Sequence, residues 1–332
     1  MKIVFTICSN NYLAQAKTLG DSLLVHNPDY YFIIFLVDKL AAEIDYAFFT
    51  PYEIIPIDQV EIGGFNDMVA KYNITELNTA VKPFIFDFLF KRKESTEAII
   101  YLDPDIQVFD RFDDLNNLFL EFNIIITPHW FTPIYDNFKV DEPDALNAGL
   151  YNLGFLGVKR GEESNKFLEW WKIKLRDLCY IDFRKGLFVD QLWINFVPIY
   201  YDKVHLLRHL GYNIAYWNLH ERVIEKSNGK YNINNHYPLV FFHFSGYLFK
   251  TPAVVSKYQT RYSFDQRKDI LPLFKEYHEK VMNNNYDKYF SIPCFYVQLG
   301  DKLKAKNWPV SILGIRRLAN MYKHTRKKIL FR

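Results

Sequence analysis

The stretch Ala98-Ile99-Ile100-Tyr101-Leu102-Asp103-Pro104-Asp105 runs an unbroken apolar segment straight into two carboxylates with one residue between them. An apolar run of this length suits a buried strand, and the strand ends where its hydrogen-bonding ladder ends. Asp103 and Asp105 then fall at the rim of a sheet, where open α/β proteins hold their ligands. Two hard oxygen donors at that place suit Mg²⁺ or Mn²⁺ bridging to phosphates. Asp-Pro-Asp is also an ordinary turn, and Ile106-Gln107-Val108-Phe109 can be read as the second arm of a hairpin. These residues alone leave both readings open.

Working outward from that segment, strand and helix periods alternate. Residues 3–8 are strand-like, 12–26 form a polar helix, and 31–37 return to a strand ending at Asp38. Such a βαβ start implies a parallel sheet. Residues 53–57 give another short strand, and 79–91 a helix feeding the segment quoted above. Residues 124–127 and 154–158 are later strands. The spacing of Phe167, Leu168, Trp171, Leu175 and Leu178 predicts an amphipathic helix over 165–178. Beyond about Pro252 the pattern turns to charged helices. The expectation is an α/β body over residues 1–250 and a helical, increasingly basic C-terminal region over 251–332.

Composition narrows the class. The chain has 332 residues, 49% of them hydrophobic and 18% aromatic, which marks a folded protein with a large core. Cys8, Cys179 and Cys294 are far apart and show no zinc-type spacing, so a reducing compartment is expected. The first strand is too short and wrongly flanked for a secretory signal, and residues 30–37, the longest apolar run, are far short of the roughly 20 needed to span a bilayer. The chain is expected to begin within its fold and to work in the cytoplasm.

Further segments deliver chemistry from strand ends. Phe241-Phe242-His243-Phe244-Ser245-Gly246 brings an imidazole and then a glycine that can let backbone approach a ligand. His243 is a candidate third metal ligand, or a structural hydrogen-bonder. Lys250 is a phosphate partner or a solvated lysine. Val189-Asp190-Gln191-Leu192-Trp193 sets a carboxylate beside a carboxamide, able to bind sugar hydroxyls and stabilise a cationic transition state, or else to cap a helix. Tyr151-Asn152-Leu153-Gly154-Phe155 offers an amide beside a glycine, or a plain turn into a strand.

Taken in this order and at these intervals, the motifs resemble those of GT-A fold glycosyltransferases, most closely glycosyltransferase family 8. The chain is also similar to bacterial glycosyltransferases carrying segments such as Gly211-Tyr212-Asn213-Ile214-Ala215-Tyr216-Trp217-Asn218-Leu219-His220-Glu221-Arg222. The resemblance covers residues 1–250 and implies one nucleotide-binding domain with a mixed, mostly parallel central sheet. It implies that Asp103, Asp105 and His243, with Gly246, hold Mn²⁺ or Mg²⁺ on the donor diphosphate. Asn152, Gly154, Asp190 and Gln191 would face the donor sugar, the last two as the catalytic pair. Thr6, Ile7, Cys8, Asn11 and Tyr12 would hold the base and ribose. The implied reaction moves a sugar from a UDP-sugar to a glycan or lipid-linked acceptor with retention of configuration. Lys82 stands where the family carries arginine, and keeps the charge without the bidentate fork. Lys250 falls one residue later than the family pattern, without the tryptophan that follows there, and Leu192 replaces a frequent second aspartate.

The net charge of +3 conceals an uneven distribution. Residues 302–332 carry ten Lys or Arg and no Asp or Glu, leaving 31 basic against 38 acidic groups elsewhere. Ile312, Ile315, Leu318, Ala319 and Tyr322 fall on one side of a helix whose other faces carry Arg316, Arg317, Lys323, Arg326 and Lys327. That pattern suits either a helix on the inner face of an anionic membrane, near a lipid-linked acceptor, or a helix docked on the body. Confinement of the positive charge to the tail argues against nucleic-acid binding by the body. Two other functions compete with the transferase. A sugar-1-phosphate nucleotidyltransferase needs a Gly-rich phosphate loop after the first strand, where this chain has Cys8-Ser9-Asn10-Asn11-Tyr12. The other is a non-catalytic carbohydrate-binding module with a degenerate site.

Overall fold

A computed structural model describes residues 1–306; the basic segment at 312–327 lies outside those residues. The centre is a seven-stranded sheet. Its members are β1 (Lys2–Cys8), β2 (Tyr30–Leu36), β3 (Glu53–Pro56), β4 (Ala98–Leu102), β6 (Ile124–Ile126), β7 (Phe155–Lys159) and β8 (Val204–Leu206), in the order β8-β6-β7-β4-β1-β2-β3. Only β7 runs against the rest: it pairs antiparallel with β4 and β6, while every other pairing is parallel. This is the mixed, mostly parallel sheet that the resemblance implied.

Helices cover both faces, as continuous apolar strands require. Val4, Ile100 and Leu102 point into a core with α1 (Leu13–His26) and with Leu273, Phe274 and Tyr277 of a later helix, Leu271–Asn283. Ile3, Phe5, Ile7, Ile99 and Tyr101 point to the other face. There they meet α2 (Ile74–Ala80), α3 (Lys82–Arg92) and, past α4 (Glu142–Ala148), α5 (Glu162–Leu178). The C-terminal region therefore contributes directly to the main core.

The helix predicted over 79–91 is two helices. Asn73 and Glu76 close a capping box at the start of α2. A second start follows at Lys82-Pro83, because proline fits the first turn, where no N–H partner is needed. That seam places Lys82 at the head of α3, facing inward.

The alternative reading of Asp103-Pro104-Asp105 as a hairpin turn holds in part. Ile106 N–H donates to Asp103 O at 3.2 Å, closing a turn over Pro104 and Asp105. The next strand, β5 (Ile106–Val108), then leaves the large sheet and pairs antiparallel with β9 (Phe241–His243), setting His243 opposite Ile106. The turn is real, but its second arm belongs to residues far along the chain. Among the described residues no helix is long and apolar enough to cross a membrane.

Candidate active site

The parallel strands end at one rim of the sheet, and because β7 runs the opposite way, its beginning lies at that same rim. Groups that follow β4 and β6 thus meet groups that precede β7. Asp103 N–H donates to Gly154 O at 2.9 Å, and Asn152 N–H to Thr127 O at 3.0 Å, stitching the three strand ends together.

Asp103, Asp105 and His243 each present one ligand atom, all within 4.8 Å of one another. His243 Nε2 lies 3.0 Å from Asp105 Oδ1 and 3.6 Å from Asp103 Oδ2. The carboxylates are 28% and 24% exposed, whereas the imidazole is buried. Several contacts fix the geometry. His243 N–H donates to Ile214 O at 2.7 Å and Phe244 N–H to Asp105 O at 2.9 Å. The Trp217 ring stands edge-on to the imidazole, with centroids 5.2 Å apart. The Tyr101 hydroxyl donates to Asp103 Oδ1. Burial works to lower the His243 pKa, but Asp105 and Asp103 outweigh it and the net direction is upward. Gly154 makes room for the ring: a Cβ there would stand 2.5 Å from His243 Cε1.

Asp190 does not cap a helix. The turn at Leu192–Phe196 has no side-chain cap, and the carboxylate instead points inward to Lys82 Nζ, 2.7 Å away, with both side chains 2% exposed. Burial pushes the Asp190 pKa up against the pull of Lys82. The preceding Val189 has φ +39°, a left-handed conformation that costs a β-branched residue about 1–3 kcal/mol. Its N–H donates to Tyr180 O at 3.0 Å, and the kink turns Asp190 toward the core. Lys82 also donates to Leu153 O at 3.0 Å, lies 4.0 Å from Asp103 Oδ1, and rests over the Tyr101 ring. One buried cation therefore bridges the Asp190 and Asp103 segments.

Gln191 is bonded at both ends of its amide. Oε1 accepts from Leu153 N–H at 3.1 Å and Nε2 donates to Ala148 O at 2.9 Å. Asn152 Oδ1 accepts from Gly154 N–H and from Asn213 Nδ2, so the Asn-x-Gly turn is held by its own side chain. Thr6, Ile7 and Cys8 are buried in the sheet, Asn11 is half-buried and Tyr12 exposed. Gly246 has φ +71°, and the space beside it is taken by Ser256 and Tyr258. Lys250 is exposed, its amine over the Phe290 ring at 4.4 Å.

Two residues at this rim were missed in the sequence. His129 follows β6 as Asp103 follows β4. Its Nδ1 donates to Leu150 O at 3.1 Å, its Nε2 lies 3.4 Å from Asn152 Nδ2, and burial lowers its pKa from 6.5 to about 4. The signal was Ile124-Ile125-Ile126-Thr127-Pro128-His129, another apolar run ending in a chemically active side chain. Asp38, at the end of β2, accepts from Asn10 N–H at 3.2 Å and from Phe295 N–H at 2.8 Å. It ties the β1 edge to the start of the helix Phe295–Lys306.

No protein-family model matches this chain. It is 23% identical over 289 residues to the uncharacterized protein YfnF of Bacillus subtilis, spanning 83% of this chain and 90% of that protein. It is 24% identical over 254 residues to YfnD of the same organism, spanning 74% and 78%. Among solved structures it is similar to the galactosyltransferase LgtC in complex with donor and acceptor sugar analogues. That match has a TM-score of 0.49 and 12% identity, over 88% of this chain and 98% of that one.

Proposed function

We propose that this protein is a metal-dependent glycosyltransferase. It would move a sugar from a nucleoside-diphosphate donor, a UDP-sugar, to a glycan or lipid-linked acceptor with retention of configuration. The observation that carries this reading is the convergence of Asp103, Asp105 and His243 within 4.8 Å at the rim of a mixed α/β sheet.

The donor set fits a divalent cation. Two partly exposed carboxylates stand at the sheet rim beside one buried imidazole, an oxygen-rich set with a single nitrogen that suits Mn²⁺ or Mg²⁺. Such an ion, held by Asp103, Asp105 and His243, would supply positive charge to the departing diphosphate. The chain's own groups do the rest. The Tyr101 hydroxyl and the Ile214 carbonyl hold Asp103 and His243 in position. Lys82 adds a fixed charge behind the Asp103 turn. Asp190, buried and paired with Lys82, holds that lysine in place behind the Asp103 turn. Gln191, both ends of its amide engaged, positions the Asn152–Gly154 turn. For retention, the acceptor hydroxyl attacks C1 from the leaving-group side and passes its proton to a phosphate oxygen. A covalent Asp190 intermediate is less favoured, because that carboxylate is already paired with Lys82.

The three cysteines are free, in keeping with a reducing cytoplasm. The basic tail in the sequence supports placement on an anionic membrane surface.

The reading is tested by thermal-shift and donor-hydrolysis screening of nucleotide sugars with and without Mn²⁺. Stabilisation by UDP that requires the metal, together with release of UDP from one donor, supports it. A folded protein that responds to no nucleotide overturns it.

A further inference from the structure

The segment 211–222 runs beside β9, the strand that carries His243. Val240 N–H donates to Gly211 O at 2.8 Å, Ile214 N–H to Phe241 O at 3.3 Å and His243 N–H to Ile214 O at 2.7 Å. Asn213, in the middle of that contact, has φ +51°, a left-handed conformation that asparagine adopts more readily than most residues. Asn218 holds the bend, its Nδ2 donating to Asn213 O at 3.0 Å and its Oδ1 accepting from Ala215 N–H at 3.0 Å. The side chain delivered there is fully buried. Its Nδ2 donates to Asn152 Oδ1 at 3.0 Å, but its Oδ1 has no hydrogen-bond partner among the described residues.

A second buried atom beside it is also unpaired. His243 turns Nε2 toward Asp105 and Asp103, and holding a cation there takes the lone pair of that nitrogen. The proton of the neutral ring then lies on Nδ1, which is buried and without a partner among the described residues. A buried donor left unpaired works against that tautomer, so an acceptor is needed. A Cβ on Gly154 would stand 2.6 Å from His243 Nδ1 and 2.8 Å from Asn152 Oδ1, so these two atoms border one point. Asn152 Oδ1, however, already accepts from Gly154 N–H at 3.1 Å and from Asn213 Nδ2, which uses both its lone pairs. The acceptor left free is Asn213 Oδ1, on the same amide that bonds Asn152. Trp217, from the same segment, adds an unpaired indole N–H on a ring that stands edge-on to the imidazole. One water accepting from both donors and donating to Asn213 Oδ1 would satisfy all three atoms.

We propose that Asn213 is a positioning residue for the metal centre: its oxygen takes the Nδ1 proton of His243, directly or through one water, and so commits Nε2 to the ion. The inference rests on the metal-dependent reading given above. Asn213 acts through His243 and not on the cation itself. Because its nitrogen holds Asn152 at the same time, one left-handed residue sets both the imidazole tautomer and the Asn152–Gly154 turn.

The test compares the full chain with Asn213→Gly and Asn152→Ala. Glycine accepts the left-handed backbone freely, so the first variant removes the amide without straining the bend. Calorimetric titration with Mn²⁺ should show binding about tenfold or more weaker in Asn213→Gly and within about threefold of wild type in Asn152→Ala. Nitrogen-15 spectra of histidine-labelled, Mg²⁺-loaded wild type should show the His243 proton on Nδ1, the signal being identified by its absence from His243→Asn. That signal should be lost or exchange-broadened in Asn213→Gly. The proposal is overturned if Asn213→Gly binds Mn²⁺ as tightly as wild type, or if Asn152→Ala loses as much, since Asn213 then serves only the Asn152 turn. It is also overturned, without recourse to any Asn213 variant, if the loaded wild type carries no proton on Nδ1. A wild type that binds neither Mn²⁺ nor Mg²⁺ overturns the metal-dependent reading and this inference with it, whereas equal binding by wild type and Asn213→Gly overturns the inference alone.

Discussion

Lys82→Met keeps most of the side-chain length and removes the charge, stranding the Asp190 carboxylate in a place where only 2% of it is exposed. Breaking a buried ion pair from one side costs about 3–5 kcal/mol, because the surviving charge has neither water nor partner. Unfolding entropy of about 2.1 cal/mol/K per residue gives roughly 0.7 kcal/mol/K for a chain this long, so Tm should fall by about 4–7 °C. The loss is pH-dependent. Asp190 already has a raised pKa through burial, and without Lys82 it rises further. The folded state then binds more protons than the unfolded state at pH values above the ordinary 3.8 and below the raised value. Stability therefore falls as pH rises through that window, and the deficit against wild type is small in acid and full at neutral pH. Lys82→Met/Asp190→Leu removes both charges and should recover most of the loss. Thermal melts followed by circular dichroism at acidic and neutral pH decide the matter. A single variant melting within about a degree of wild type at neutral pH would refute the argument, as would a double variant no more stable than the single.

Other perturbations have equally definite outcomes. Asp105→Asn should leave the melting temperature near wild type without metal, abolish the Mn²⁺-dependent shift given by UDP, and lower donor hydrolysis by about 100-fold or more. Gly154→Ala places a methyl group 2.5–2.6 Å from the His243 ring and should cost about 1–3 kcal/mol on denaturant unfolding, with metal affinity weakened about tenfold or more. His129, neutral in the fold with a pKa near 4 against 6.5 outside it, contributes stability that is complete above pH 6.5 and lost as pH falls toward 4. On the order of 2–3 kcal/mol of acid sensitivity should disappear in His129→Asn, read from melts across that range. Arg261 holds residues 136–140 through paired bonds to Asp136 and others to the Phe138 and Val140 carbonyls. Arg261→Ala should make that loop the first site of limited proteolysis.

The sequence made the strand ends legible because apolar runs stop abruptly where a sheet stops, and the side chain that follows is exposed to chemistry. Asp103, Asp105 and His243 could be named from that pattern. His129 follows the same pattern less directly, because Thr127 and Pro128 separate it from the end of the apolar run. The orientation of Asp190 could not be read: Asp before Leu-Trp is a sound helix cap by local rules, and only the left-handed Val189 and the distant Lys82 turn it inward. The break between α2 and α3 was written in Pro83, yet the periodicity of the apolar residues runs across it. Pairing of β5 with β9 had no local signal at all, because the choice between a hairpin and a remote partner is made by tertiary packing.

That last pairing affects the order in which the molecule is made. Residues 103 and 105 leave the ribosome early, but the strand that completes their sheet and carries the imidazole follows some 140 residues later. A nascent chain or C-terminally clipped fragment that stops short of His243 keeps the two carboxylates and much of the large sheet, while β5 remains an unpaired edge. Such an edge invites pairing with other chains. Fragments of the N-terminal two thirds should therefore be more prone to association than the whole protein, and synthesis of β9 removes that hazard in the same step that supplies the third ligand.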